Sequence, residues 1–378
     1  MQRLGYAKGI YDENEKNAVI RALDSGWLSG GEETSMFEKE FADWWGVKYA
    51  LATNSGSTAN LIALQSLNLP KGSEVITPAG GAFPTTIAPM VYLDLTPVFI
   101  DVKGLVIDVD KIEEAITENT SAIVFAHTIG QMPDMDKLMK IADKYGLKVL
   151  EDCCDAVGSS QLGRRAGTFG NTATVSFYPA HHMTTGGEGG MVLTNDVKTY
   201  YEAMSIRDWG RDCTCHFGGK NPICTDRYHI KGFDHRYYYT RIGLNFKMTE
   251  MQAAFGREQL KRLDGFIDLR RRNYNILARE LGEPECGELS PFCYPIWSKN
   301  KQRDCQMIES AGIETRYMFS GNILKHPAYN GSQFHYYYHD LIESDRVFDE
   351  VYFVGVAPHL TEENMLFISQ EIKKCRSI

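Results

Sequence analysis

Residues 176–190 read SFYPAHHMTTGGEGG, with two adjacent imidazoles, His181 and His182, in a stretch of Ser, Pro and Gly fit to line a ligand pocket. An imidazole titrates near neutrality and so suits general-base work. Downstream, Cys213-x-Cys215-x8-Cys224 falls in DWGRDCTCHFGGKNPICTDRYHIKGFDHRYYYT (208–240), which is rich in Cys, Gly, His and Tyr and lacks apolar periodicity. A long loop inside a domain is usually functional or disordered, and its three cysteines favour function. Upstream, VLEDCCDA (149–156) sets Glu151 and Asp152 directly before Cys153 and Cys154. Thiolates are soft ligands, so four of these cysteines would suit an iron–sulfur cluster or a structural zinc.

These residues need a frame. KYALATN (48–54), SEVITPA (73–79), TPVFIDV (96–102), SAIVFAH (121–127), LKVLEDC (147–153), ATVSFYP (173–179) and GGMVLTN (189–195) read as strands. Helical stretches such as MDKLMKIADKYG (135–146) separate them. The alternation predicts an α/β fold, a large mostly parallel sheet covered by helices on both faces. In such sheets ligands collect at the carboxyl ends of the strands. ATNSGSTAN (52–60) runs there from strand to helix through Ser55, Gly56 and Ser57, a turn whose free N–H groups can hold a phosphate, although many such turns are plain connections. Phe83, after the next strand, can stack on a planar ring or fill the core. Asp152, at a strand end, can keep a pyridinium nitrogen protonated or serve as a cap or salt-bridge partner. Ser176 can add a phosphate hydrogen bond.

Beyond residue 250 the pattern changes. MTEMQAAFGREQLKRLDGFIDLRRRNYNILARELG (248–282) reads as a long helix broken near Gly265. It divides a large domain, 1–250, carrying the Cys-rich loop, from a small α+β domain, 251–378. The chain has 378 residues, 43% hydrophobic and 24% charged, as expected of a globular enzyme. A net charge of −9 argues against a nucleic-acid binder. No apolar run is long enough for a bilayer, and the N-terminal stretch lacks a signal-peptide core, so the expected location is the cytoplasm. In a reducing compartment the nine cysteines are not a disulfide framework.

The order of the pieces is more specific than any one of them. Phosphate turn, ring-stacking aromatic, strand-end Asp, then Ser-Phe-x-Pro and a Gly-rich run resembles the fold-type-I pyridoxal-phosphate enzymes. Together with SGWLSGGEETSMFEKEFADWWGVKYALATNSGSTAN (25–60), GLNFKMTEMQAAFGREQLKRLD (243–264) and AGIETRYMFSGNILKHPAY (311–329), it resembles the DegT/StrS sugar-nucleotide aminotransferases over almost the whole chain. The resemblance implies that Gly56, Ser57 and Ser176 bind the cofactor phosphate, that Phe83 stacks on the ring and that Asp152 pairs with its nitrogen. It implies that Asn245 reaches the phosphate of a neighbouring subunit, hence a homodimer, and that Arg316 lies near substrate or forms a structural ion pair.

His181 stands at the place of the family lysine. Lysine there anchors the cofactor and shuttles protons at its C4′ carbon; an imidazole can do only the second. The substitution resembles the 3-dehydrase branch, which removes the C3 hydroxyl of nucleotide-linked 4-keto-6-deoxyhexoses with pyridoxamine 5′-phosphate (PMP, or PLP). His181 is then the base, and His182 has a neighbouring or structural role. Two types within this branch differ in metal. One acts on GDP-4-keto-6-deoxymannose, takes its amine from glutamate and has no cluster. The other, typified by CDP-4-keto-6-deoxyglucose 3-dehydrase, carries a [2Fe-2S] cluster fed by a flavin iron–sulfur reductase or ferredoxin-like donor. Cys213, Cys215, Cys224 and Cys154, preferred to Cys153 for its spacing to His181, resemble the second set. The Cys154–Cys213 gap, through an extra glycine in TTGGEGG, and the Cys215–Cys224 gap are each one residue longer than the family pattern, and a zinc site on an aminotransferase-like protein is the competing reading.

Overall fold

The computed structural model describes residues 3–81, 83–213, 227–331, 336–337 and 340–377. The seven expected strands all form: β1 (Tyr49–Thr53), β2 (Glu74–Pro78), β3 (Thr96–Ile100), β4 (Thr120–Ala126), β5 (Lys148–Asp152), β6 (Thr172–Ser176) and β7 (Gly190–Thr194). They lie in the order β1-β7-β6-β5-β4-β2-β3. The pairs from β6 to β3 are parallel, whereas β7 runs antiparallel to both neighbours. β2, β6 and β7 are buried at every position, which explains why they read as unbroken apolar runs.

Helices α1 (Glu13–Asp24), α2 (Glu32–Trp45), α3 (Gly56–Ser66), α4 (Pro84–Tyr92), α5 (Met135–Tyr145) and α6 (Val197–Arg207) accompany this sheet. α5 shows the local rules plainly. Asp134 caps its start by accepting from the Lys137 N–H, Gly146 ends it at φ 67°, and Met135, Leu138, Ile141 and Ala142 form its buried stripe. On one side of the sheet Phe37, Phe41, Trp45 and Phe177 build an aromatic core; on the other, Leu51, Ile62, Val124 and Leu150 pack together.

The stretch 248–282 forms two helices, α7 (Glu250–Leu260) and α8 (Leu263–Leu281). The break falls at Lys261 and Arg262, not near Gly265, which lies inside α8. At the break Arg262 pairs with Glu15 at 2.9 Å and Asp12 at 3.2 Å at the start of α1. Three strands, β8 (Cys293–Trp297), β9 (Thr315–Tyr317) and β11 (Val351–Gly355), form a small antiparallel sheet in the order β8-β11-β9. It packs with α8, α9 (Lys301–Ser310) and α11 (Glu362–Arg376), while α10 (Ile342–Glu350) leads into β11. The segment β10 (Tyr336–Tyr337) returns to the large sheet beside β3.

α2 begins at Gly31, which has no side chain to cap it. Glu250 of α7 does this instead. Its carboxylate, 3% exposed, accepts from the N–H groups of Gly31 and Glu33 at 2.8 Å and of Thr34 at 3.0 Å, and from the Thr34 hydroxyl. Removing it strands several buried donors and an unfavourable end of the helix dipole. Glu250→Ala is therefore expected to lower unfolding free energy by about 2–4 kcal/mol, and Glu250→Gln by less; urea midpoints of the three proteins check this.

Candidate active site

The carboxyl ends of β2, β5 and β6 open on a cavity of about 400 Å³ lined by Gly56, Ser57, Phe83, Asp152, Ser176 and His181. Of the proposed cofactor-site residues, only Asn245 lies elsewhere. Cys154 is also part of this wall.

At one end is the start of α3. Ser55 caps it by accepting from the Thr58 N–H at 3.2 Å, which leaves the first-turn N–H groups of Gly56 and Ser57 without an intrahelical acceptor. Ser176 presses against this turn; a Cβ on Gly56 would come within 2.5 Å of the Ser176 Cβ. Glycine is what lets β6 approach the helix start this closely. Phe83 caps α4 with Pro84 following, and its ring stays 54% exposed at the cavity wall, edge-on to Phe319 at 5.9 Å.

Asp152 is 4% exposed. Its Oδ2 accepts from the Asn60 amide at 2.9 Å and the Thr86 hydroxyl at 2.7 Å, and Oδ1 from the Cys154 N–H at 3.1 Å. Thr174 donates to the Asn60 carbonyl at 2.5 Å, so the amide orientation is fixed too. Sequence reasoning missed Asn60 and Thr86, though both lie in the stretches that flagged the turn and Phe83. The residues present fit a phosphorylated pyridine: a Gly-opened helix start, an exposed aromatic face and a held carboxylate face one cavity.

His181 enters from the irregular segment after β6, with its Nδ1 3.4 Å from Asp155 Oδ1. Burial, then the Arg270 charge, push its pKa down to about 4 against an upward pull from Asp152. The imidazole is thus neutral at pH 7 but a weaker base than the free side chain, a departure from the titration near neutrality that its residue type implies. Asp155, also unanticipated, is raised to about 7 by burial and then by Asp152. His182 is 2% exposed with Nε2 3.2 Å from the Ser290 carbonyl, a packed side chain outside this cavity wall. Burial holds it well below the usual histidine range. Among the described residues, no lysine lines the cavity.

Strand β5 ends at Asp152, yet Asp152 and Cys154 still share the cavity wall, while Cys153 is fully buried in the aromatic core. Burial raises both thiols well above their usual pKa, helped at Cys154 chiefly by Asp152. Cys213 is half-buried beyond α6; Cys215 and Cys224 lie outside the described residues. Asn245 is exposed and borders a different cavity, of about 350 Å³, with Lys247 and Arg211. Arg316 pairs with Glu314 and lies 4.9 Å over the ring of Tyr6, a wall residue.

Fold and site together define a fold-type-I PLP enzyme. Residues 10–373 match the DegT/DnrJ/EryC1/StrS aminotransferase family, and the chain belongs to it. It is 40% identical to dTDP-4-dehydro-2,6-dideoxy-D-glucose 3-dehydratase of Saccharopolyspora spinosa, over 96% of the chain and 84% of that protein. It is 38% identical to the lipopolysaccharide biosynthesis protein RfbH of Salmonella typhimurium, over 97% and 90%. An E. coli GDP-4-keto-6-deoxy-D-mannose-3-dehydratase solved with bound hydrated PLP superposes with a TM-score of 0.89 at 29% identity, covering 98% of this chain and 100% of that one. Among the described residues, no helix is long and apolar enough to cross a membrane.

With the folded His181 pKa below the unfolded value of 6.5, the unfolded chain binds the extra proton between about 4 and 6.5. Its contribution to stability is present above 6.5 and lost as pH falls through that window. Asp155, raised to about 7, acts in the opposite sense, losing stability as pH rises. H181N is therefore expected to leave a shallower rise of stability from pH 4 to 6.5 than the parent protein shows, read from urea midpoints.

Proposed function

We propose that the chain is a 3-dehydratase of a nucleotide-linked 4-keto-6-deoxyhexose, using PMP or PLP held without a covalent anchor. The observation that carries this reading is a single cavity that gathers the Ser55–Ser57 turn, Phe83, Asp152 and His181 and whose described wall has no lysine. Relatives named as 3-dehydratases of dTDP- and GDP-linked keto-deoxysugars support it.

When bound, the cofactor supplies an amine for the sugar C4 ketone and a ring that takes up electron density. Gly56 and Ser57 N–H groups, with Ser176, hold the phosphate at the positive end of α3. Phe83 covers one ring face. Asp152, kept in place by Asn60 and Thr86, retains the proton on the ring nitrogen. His181 would take the proton from C4′ of the bound cofactor and could return it to the C3 hydroxyl as that group leaves as water. Asn245, in its separate cavity, is assigned to the phosphate of a second subunit, which makes the working unit a homodimer. The expected location is cytoplasmic, and domains 1–250 and 251–378 divide the cofactor platform from the cover.

The finer proposal is a [2Fe-2S] cluster on Cys154, Cys213, Cys215 and Cys224, reduced by a flavin iron–sulfur reductase or ferredoxin-like partner. Its support is that Cys154, and not Cys153, borders the cofactor cavity, which gives electrons a short path to the ring. A solved GDP-4-keto-6-deoxymannose-3-dehydratase with a trapped PLP-glutamate geminal diamine, 28% identical with a TM-score of 0.88, favours a second reading, a glutamate-dependent dehydratase without a cluster.

Anaerobic purification separates the two. About two irons and two sulfides per chain are expected, falling sharply in Cys154→Ser; a colourless, iron-free protein that still dehydrates with glutamate supports the second reading. For the base, H181N is expected to abolish hydrogen exchange at C4′ of bound PMP by at least about a hundredfold, followed by loss of deuterium from labelled cofactor. Undiminished exchange overturns the assignment.

A further inference from the structure

His181 lies on a segment without regular secondary structure, between β6 and β7. Its N–H donates to the Tyr178 carbonyl at 2.9 Å. Its own carbonyl accepts from Nη2 of Arg270, in the middle of α8, at 2.8 Å; the same Nη2 lies 3.2 Å from the Ala180 carbonyl. Nη1 donates to the Phe292 carbonyl at 2.9 Å, one residue before β8, and the Phe292 ring packs on the His181 ring at 5.4 Å. One guanidinium therefore joins three elements at the imidazole.

That guanidinium is unusual for a brace. It is 2% exposed, its Nε has no hydrogen-bond partner, and no carboxylate lies within ion-pair distance of it among the described residues. Burying a cation whose hydrogen bonds among the described residues all go to main-chain carbonyls, with Asp155 attracting it only from beyond ion-pair distance, is costly. Leucine or methionine would fill the core between α8 and the loop more cheaply. What an apolar side chain cannot do is hold two successive carbonyls at once, and these two flank the His181 Cα and so set where its side chain points. A planar fork does this with little loss of freedom per bond. The positive charge also opposes protonation of the imidazole beside it, which keeps that ring in its base form.

We propose that Arg270 is a positioning residue for the His181 base, clamping the Ala180 and His181 carbonyls and the Phe292 carbonyl so that the imidazole stays aimed at the cofactor cavity. The claim rests on His181 being the proton acceptor, and it assigns a catalytic consequence to a side chain that does not line the cofactor cavity.

R270K and R270M, each checked for native circular dichroism, test it in two ways. In the unliganded protein, the rate at which diethyl pyrocarbonate modifies His181, read by mass spectrometry, should rise severalfold in R270M and less in R270K. In the PMP-loaded protein, C4′ hydrogen exchange should fall about 10- to 100-fold in R270M with partial recovery in R270K, while PMP affinity changes little. Adding R270M to H181N should cause no further loss, because the clamp has nothing left to aim. An unchanged modification rate, or an equal fractional loss of exchange with and without His181, overturns the proposal. Exchange that survives in H181N instead removes the base assignment, and the modification rate then still reports the clamp.

Discussion

Everything at this site is arranged around a carboxylate that cannot move. Asp152 ends β5, which lies between β4 and β6 near the middle of the large sheet. Neighbouring residues on a strand face opposite sides, and here the two adjacent acids divide their work accordingly. Glu151 turns away from the cavity, where its carboxylate accepts from the N–H groups of Gly167, Phe169 and Gly170 and meets the His127 ring at 2.9 Å. Asp152 turns to the cavity and is held by Asn60, Thr86 and the Cys154 N–H. Both charges are buried, and charge-assisted hydrogen bonds offset the desolvation cost. Glu151 and Cys153 with His127 resemble a metal-ligand group, but the three N–H donors occupy that carboxylate, so it reads as a brace for the strand end. A charge fixed in this way can define where a positively polarised ring must sit.

The Gly-rich tail of SFYPAHHMTTGGEGG follows from the same arrangement. β7 begins at Gly190 against the phosphate turn, where a Cβ would meet the Ser55 carbonyl oxygen at 2.3 Å. The antiparallel return of β7 between β1 and β6 thus sets the turn and the histidine segment at one end of the sheet. Thr185 and Glu188 close the intervening loop on itself through a 2.5 Å hydrogen bond. The motif is a packing solution as much as a chemical one, which is why its glycines and its histidine occur together.

What could be read in the sequence was whatever depends on local pattern. Seven buried strands showed as apolar runs, α5 showed its cap, stripe and terminal glycine, and the strand ends placed Asp152, Phe83, Ser176 and the Ser-Gly-Ser turn on one rim. What could not be read depends on contacts between distant segments. Arg262, at the helix break, pairs with Glu15, far away in the chain. Asn60 and Thr86 matter because α3 and α4 bring them together on the carboxylate at the end of β5. Asp155 meets His181 only after the chain turns beyond Cys153. The cap of α2 comes from Glu250, and the clamp on the His segment from Arg270, both more than eighty residues from what they hold. Arg316 gave an even choice by sequence, and its pairing with Glu314 and Tyr6 favours the structural side of it.

The exchange of lysine for histidine in this fold is therefore more than a change of one side chain. A lysine has four rotatable methylenes and can find a reacting carbon from a loosely placed backbone; an imidazole has one, so its main chain must be right to begin with. The segment after β6 has no strand or helix to supply that accuracy. It is supplied from outside, by Tyr178 on one side of His181, by Arg270 on the other, and by Asp155 and Phe292 around the ring. The same buried cation and the same dry surroundings that fix the ring also keep it unprotonated. Position and protonation state thus have a common cause here. Restoring a lysine at 181 alone would leave a long amine in a cage built for a short, neutral ring, beside a buried guanidinium that disfavours its charge.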